Sequence, residues 1–317
     1  MARSARSEYL TPDENIIVVA FCRGSRTALV APPGAAAATA NNHRGQFIEE
    51  LLEHFVRLFC ISVHAHAILQ HSIRLTLQAH PERVKELADT EVARRWLCIC
   101  PTLRPLRLRS VEPTEGEISA LCANPHRIAE IRRQLSDIAW LMRLFQQRIA
   151  LFCNREDNFR GRFWHDRYRA IVALDQFGRD LGILHMDTAS VCPKSDEASS
   201  DSNSDADNLK SALHRLTDRL EADSDQLLGA IRAAANPDAS VNIFRPRSGA
   251  LKSSVSTTEA LVLLVHHFDI LFSHVAGRLP NMDAYLTRLG RRRAYVTPAV
   301  REIIRRYLLP SAVGLSC

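Results

Sequence analysis

Residues 194–208, KSDEASSDSNSDADN, do most to limit what this 317-residue chain can fold into. The tract has no aliphatic residue larger than alanine and no aromatic, so it cannot bury enough surface to offset the entropy of ordering itself. Any core must lie before it or after it. The expected organisation is a domain over 1–193, an acidic Ser/Asp linker over 194–208, and a second region over 209–317. Five acids and one lysine give the tract a net charge of −4, so the remainder of the chain, +6 less −4, carries +10.

The rest of the chain has an ordinary globular balance, 46% hydrophobic and 24% charged, which excludes disorder throughout. Only Lys85, Lys194, Lys210 and Lys252 are lysines among 41 basic residues, so the positive charge is almost all arginine. This favours an anionic partner, although a coding bias toward arginine accounts for it equally well. The first apolar run, IIVVAF, is too short for a signal peptide or a membrane span. The longest, Leu261–Phe272, is interrupted by His266, His267 and Asp269 and reads as a buried amphipathic helix. No membrane partner is expected, and the expected location is cytoplasmic. The eight cysteines include no Cys-x-x-Cys pair, so reduced core thiols are expected rather than a zinc site.

The order of elements follows from hydrophobic period. Residues 16–21 read as a strand, and APPGAAAATANN over 31–42 as an irregular insertion. HRGQFIEELLEHFVRLFC places Phe47, Leu51, Phe55 and Leu58 on one helical stripe. ISVHAHAIL and SIRLTLQ read as neighbouring strands separated by Gln70-His71. Apolar residues from Ile128 to Ile149 recur at the spacing of one long helix over 124–154, followed by a strand around Phe163–Leu174 and a helix from Asp175. Downstream of the linker the pattern is helical only: 209–235, 257–276 and 297–309, the last with Thr297 as N-cap and Pro298 at the first helical position. The fold class is therefore α+β with a mainly antiparallel sheet, followed by an all-α C-terminal region.

Chemistry is most concentrated in Asn154-Arg-Glu-Asp157 and Gly161-Arg-Phe-Trp-His-Asp-Arg-Tyr-Arg169. Arginines alternate here with Phe163, Trp164 and Tyr168, a mixture that grips phosphates while offering faces for base stacking. An amphipathic strand with Phe163 and Trp164 in the core fits the same spacing. His64-Ala65-His66 is a second feature of interest, because alternate strand positions share a face, as metal ligands must.

Five ordered motifs together resemble the REP-associated tyrosine transposases, and in particular a planctomycete-like long-insert branch. They are Glu91-Val-Ala-Arg-Arg-Trp-Leu97, Glu112-Pro-Thr-Glu115, Leu135-Ser-Asp-x-x-Trp140-x-Met142-Arg143, Asn154-Arg-Glu-Asp157 and Gly161-Arg-Phe-Trp164. The helix from His43-Arg44 through Ile48 and Leu51 is also similar, and the resemblance covers about residues 14–193. It implies a ferredoxin-like antiparallel sheet with helices on one face, of the HUH single-strand endonuclease type. In such enzymes two histidines on a strand hold Mg²⁺ or Mn²⁺, and a helix tyrosine attacks the scissile phosphate.

In that match the two metal-histidine positions fall on Ser72 and Arg74, and the tyrosine position on His185. The Asn-Pro that follows the tyrosine falls on Ala189 and Ser190. The resemblance thus implies a transposase-family DNA-binding protein that has lost cleavage and needs no cofactor. Its phosphate and base contacts are expected at Arg23, Arg26, Arg160, Arg162, Trp164, Arg167 and Arg169. The expected partner is single-stranded or hairpin DNA, and a homodimer is allowed. An active enzyme using His64 and His66 with Mg or Mn is the first alternative, and a helical protein-interaction module after residue 208 is the second.

Overall fold

A computed structural model of the chain describes residues 15–21, 28–30, 38–100, 112–189, 257–266, 268–272 and 274–288. The chain divides into two compact units, Met1–Tyr168 and Arg169–Cys317. This division falls ahead of the 194–208 tract, which lies outside the described residues. It puts residues 169–189, expected in the first domain, into the second unit.

The first unit is built on strands β1 (Asn15–Phe21), β2 (Ile61–Ile68) and β3 (Ser72–Ala79), with β3 paired antiparallel to both others. The β2 and β3 strands end and begin on either side of Leu69–His71, as the Gln70-His71 break predicts. Between β1 and β2 runs helix α1 (Ala38–Leu58). The expected irregular insertion over 31–42 therefore gives way to helix at Ala38. Ile48, Leu51, Leu52 and Phe55 are buried on the inner side of α1, and Phe59 just beyond its end is buried too. Ile73, Leu75 and Leu77, alternating along β3, are buried with them.

Five helices complete this unit: α2 (Pro81–Glu86), α3 (Asp89–Ile99), α4 (Glu115–Cys122), α5 (Pro125–Leu135) and α6 (Ile138–Glu156). The apolar run expected as one helix over 124–154 is two. Asn124 caps α5 at the Arg127 amide, and Asp137 caps α6 at the Ala139 amide, 2.7 Å away. An Asp side chain that bonds a nearby backbone amide ends one helix and starts the next. Leu141, Met142, Phe145, Ile149 and Cys153 of α6 are buried, and the Phe145 and Phe55 rings lie 6.1 Å apart. Each such ring contributes about 2–3 kcal/mol by leaving water.

The second unit pairs β4 (Arg169–Ala173) with β5 (Val275–Ala276) in parallel. Helices α7 (Gln176–Ala189), α8 (Thr257–His266), α9 (Phe268–Leu271) and α10 (Leu279–Arg288) make up its remaining described elements. The region after residue 208 is thus not all-α, because β5 stands where a helix over 257–276 was expected. Nor does a strand cover Phe163–Leu174; it begins only at Arg169. Asp175 fixes the ends of both strands. Its carboxylate accepts the Gly178 amide at 2.9 Å, the Arg278 amide at 2.8 Å and the Asn281 side-chain amide at 2.6 Å. A Cβ on Gly178 would collide with the Ala276 carbonyl oxygen, so the helix can sit this close to β5 only with glycine there. The helices expected over 209–235 and 297–309 lie outside the described residues.

Candidate nucleic-acid interface

The Asn154–Asp157 motif is part of a clamp. Arg44, itself buried in α1, donates from Nε to Glu156 at 2.7 Å, from Nη2 to Asp157, and from Nη1 to the Ala28 carbonyl at 2.9 Å. His43 adds a 2.6 Å contact to Glu156. Burial opposes the charge on Arg44, but its hydrogen bonds to Asp157 and Glu156 outweigh that and raise the guanidinium pKa. A planar fork held by two carboxylates and a carbonyl pins the end of α6 to α1.

The chain leaves α6 through Asn158 at φ 46°, a left-handed conformation that turns it away from the helix axis. The Asn154 side chain then donates to the Gly161 carbonyl at 3.1 Å and closes the loop. Phe159, at its tip, is 52% exposed, and its ring lies against Gly161, where an added Cβ would come within 2.7 Å of it. Beyond the loop, Phe163, Trp164 and Tyr168 are buried, and the Trp164 indole donates to the Gln146 carbonyl at 2.8 Å. Trp164 therefore anchors the segment in the core and is not the base-stacking face the sequence reading expected.

Arg160, Arg162, Arg167 and Arg169 are all exposed. Arg162 stands 3.6 Å from Asp166. Arg160 and Arg167 form no ion pair among the described residues. The expected pattern thus separates into arginines facing water and aromatics facing the core. Phe159, which the sequence reading passed over, supplies an outward ring. Its signal was a phenylalanine flanked by Asn158, Arg160, Gly161 and Arg162, with no apolar neighbour at strand spacing. Arg23 and Arg26 lie outside the described residues.

The expected catalytic positions are occupied by groups of other chemistry. Ser72 is buried on β3, and Arg74 follows two residues later on the same face. A guanidinium is protonated at all ordinary pH and cannot ligate a metal. His185 of α7 is 1% exposed; its Nδ1 lies 2.6 Å from the Val265 carbonyl, and its ring packs on Phe268.

His64 and His66 do not share a face. A β-bulge lies between Val63 and Ala65, so Val63 pairs with Leu77 while Ala65 pairs with Thr76. One extra residue inverts the alternation of the strand. His66 is left opposite Leu75, on the side of β3 that carries Ile73 and Leu77. His64 bonds Gln78 at 2.9 Å, on the other side. Among the described residues no group of three or more His, Cys, Asp or Glu stands close enough to hold a metal ion. No helix among them is long and apolar enough to cross a membrane. No family model, curated protein or solved structure matches the chain.

Proposed function

We propose that the chain is a DNA-binding protein of the REP-associated tyrosine transposase type, with a ferredoxin-like sheet whose strand-cleavage centre has been replaced. The observation that carries this reading is the loop at the end of α6. It presents an outward Phe159 ring next to Arg160, with Arg162 and Arg167 also exposed, on a backbone fixed by the Arg44 clamp and the Trp164 anchor. Exposed aromatic faces stack on bases, and guanidinium groups neutralise phosphates, so the loop suits a single strand whose bases are unpaired. The insertion of β3 between β2 and β1 supports the fold, since a βαββ unit of ferredoxin-like type places its strands in that order. Ser72, Arg74 and the buried His185 at the expected metal and nucleophile positions support loss of cleavage, as none offers a ligand pair or an accessible attacking group.

The test uses the whole protein and a labelled single-stranded hairpin, with Mn²⁺ or with EDTA, read on denaturing gels and by titration at several salt concentrations. The expected result is binding that needs no metal, leaves the DNA intact and weakens steeply with salt. Six phosphate contacts would lose on the order of a thousandfold in affinity between about 50 and 200 mM salt. A metal-dependent nick with protein joined to the 5′ end would overturn the loss of cleavage. Absence of salt-sensitive binding would overturn the DNA reading itself and leave a protein-interaction role.

A further inference from the structure

Strand β2 and the turn from β3 into α2 bring together three residues that neither the resemblance nor the DNA reading uses. Ser62 Oγ lies 2.9 Å from His80 Nε2, and His80 Nδ1 lies 2.9 Å from Glu82 Oε1. A carboxylate only accepts, so Nδ1 carries the proton that bonds Glu82. In the neutral ring Nε2 is then the acceptor, and the Ser62 hydroxyl must be the donor. These are the protonation states and ring orientation of a serine whose proton can be withdrawn by a histidine held by an acid.

The backbone fixes the three groups independently. Ser62 is held by its pairing with Gln78, and His80 by its amide, which donates to the Cys60 carbonyl at 2.9 Å. Glu82 sits in the first turn of α2. Its own amide, and then the His80 ring, hold its carboxyl below the usual range, so it stays ionised at neutral pH. Gln78 lies directly opposite Ser62, and its side-chain oxygen is taken by His64 at 2.9 Å. Its NH₂ group is the half of the amide that can donate, and directly opposed strand side chains lie about 5 Å apart. A neutral amide donor suits the oxygen of an acyl carbonyl as it gains charge. Among the described residues no guanidinium hydrogen-bonds Ser62, His80 or Glu82, and the exposed Glu82 carboxylate disfavours a phosphodiester.

We propose that Ser62, His80 and Glu82 form an esterase-type acyl-transfer site on the β2–β3 face, with Gln78 donating to the oxyanion. Ser62 Oγ bonds the acyl carbon of a carboxylic ester while its proton passes to His80 Nε2. The bond to the alcohol oxygen then breaks, and the alcohol leaves with that proton. Water repeats the sequence on the acyl-serine, releasing the carboxylic acid and restoring Ser62.

The test exposes the full-length protein, without DNA, to a fluorophosphonate probe and to p-nitrophenyl acetate, and maps the adduct by peptide mass. The expected result is modification at Ser62. Nitrophenol release should fall on the order of a hundredfold or more in Ser62→Ala and His80→Gln. Glu82→Gln, at an exposed position, should slow labelling while leaving the melting temperature unchanged, which separates the relay from any folding role. Equal labelling in Ser62→Ala, an adduct elsewhere in the chain, or no adduct on folded wild-type protein would each overturn the proposal. The readout is independent of DNA, so it stands or falls apart from the binding experiment.

Discussion

The α3–α6 bundle and the loop that follows it carry motif residues of the same kinds and use them in opposite ways. In the bundle, Trp96 and Trp140 meet edge to face at 6.0 Å, with Arg127 and Arg143 stacked over their rings. Arg132 closes the ends of α2 and α3 through the Val84 and Leu87 carbonyls and Asp89. Every one of these charged or aromatic groups has a partner within the fold. In the loop, Phe159, Arg160 and Arg167 face water, and the same residue types remain available to a ligand. An arginine-aromatic motif is therefore evidence of binding only where the fold leaves its side chains outward.

The sharpest way to break this comparison is to truncate one aromatic of each kind within a few residues of the other. Trp164→Ala removes a buried ring and its hydrogen bond to Gln146, and should cost about 3–5 kcal/mol of stability by urea unfolding. Phe159→Ala should leave stability within about 0.5 kcal/mol yet weaken single-strand binding about tenfold or more. If the two variants unfolded alike, the division into core-facing and partner-facing aromatics would be wrong.

A smaller effect is expected at the clamp. Arg44→Ala takes the guanidinium from Asp157 and leaves Glu156 to the His43 ring, and should destabilise the protein by about 2–3 kcal/mol. Arg44→Lys should recover little, because a point charge cannot serve two carboxylates and the Ala28 carbonyl at once. Full rescue by lysine would mean that charge alone, and not the forked geometry, holds the end of α6.

These pairs also show what the sequence could reveal and what it could not. The helix α1 and the strands β2 and β3 were legible because their apolar residues recur at clearly different periods. The break between α5 and α6 was hidden because the apolar spacing runs almost unbroken across it. Only the Asp137 cap marks the boundary, and an aspartate in that place also reads as a solvent-facing helix residue. The bulge at His64 was invisible, since nothing in ISVHAHAI says which residue is left over, yet it alone decides that two histidines face apart. Ser62, His80 and Glu82 are ordinary residues until strand pairing brings Ser62 to His80 across 18 positions of sequence. Thr114, within the Glu112–Glu115 motif, forms a capping box with Glu117 just beyond it and serves to start α4.

Charge on the outward side can be counted directly. Each arginine that contacts a phosphate of a single strand contributes about 0.7 to the slope of log affinity against log salt. Arg160→Ala and Arg167→Ala should each lower that slope by about this amount, without changing urea unfolding. Arg132→Ala should change unfolding and leave the slope alone. A slope change for Arg132 would show that the bundle, and not the loop, meets DNA.

The smallest expected effect concerns His54 on α1, which belongs to the inward side of the comparison. Burial lowers its pKa below the ordinary 6.5, and the positive charges of Arg148 and Arg57 lower it further. Above about pH 6.5 the ring is neutral in both folded and unfolded chains, and its contribution to stability is complete. As pH falls below that value the unfolded chain takes up the proton first, so stability is lost until the folded-state pKa is passed. His54→Gln removes the proton uptake while keeping a polar side chain of similar reach. Its drop in melting temperature between about pH 7.5 and 5.5 should be smaller than that of the wild type. An equal drop in both proteins would show that His54 reaches solvent freely, and that the inward face of α1 is looser than its packing indicates.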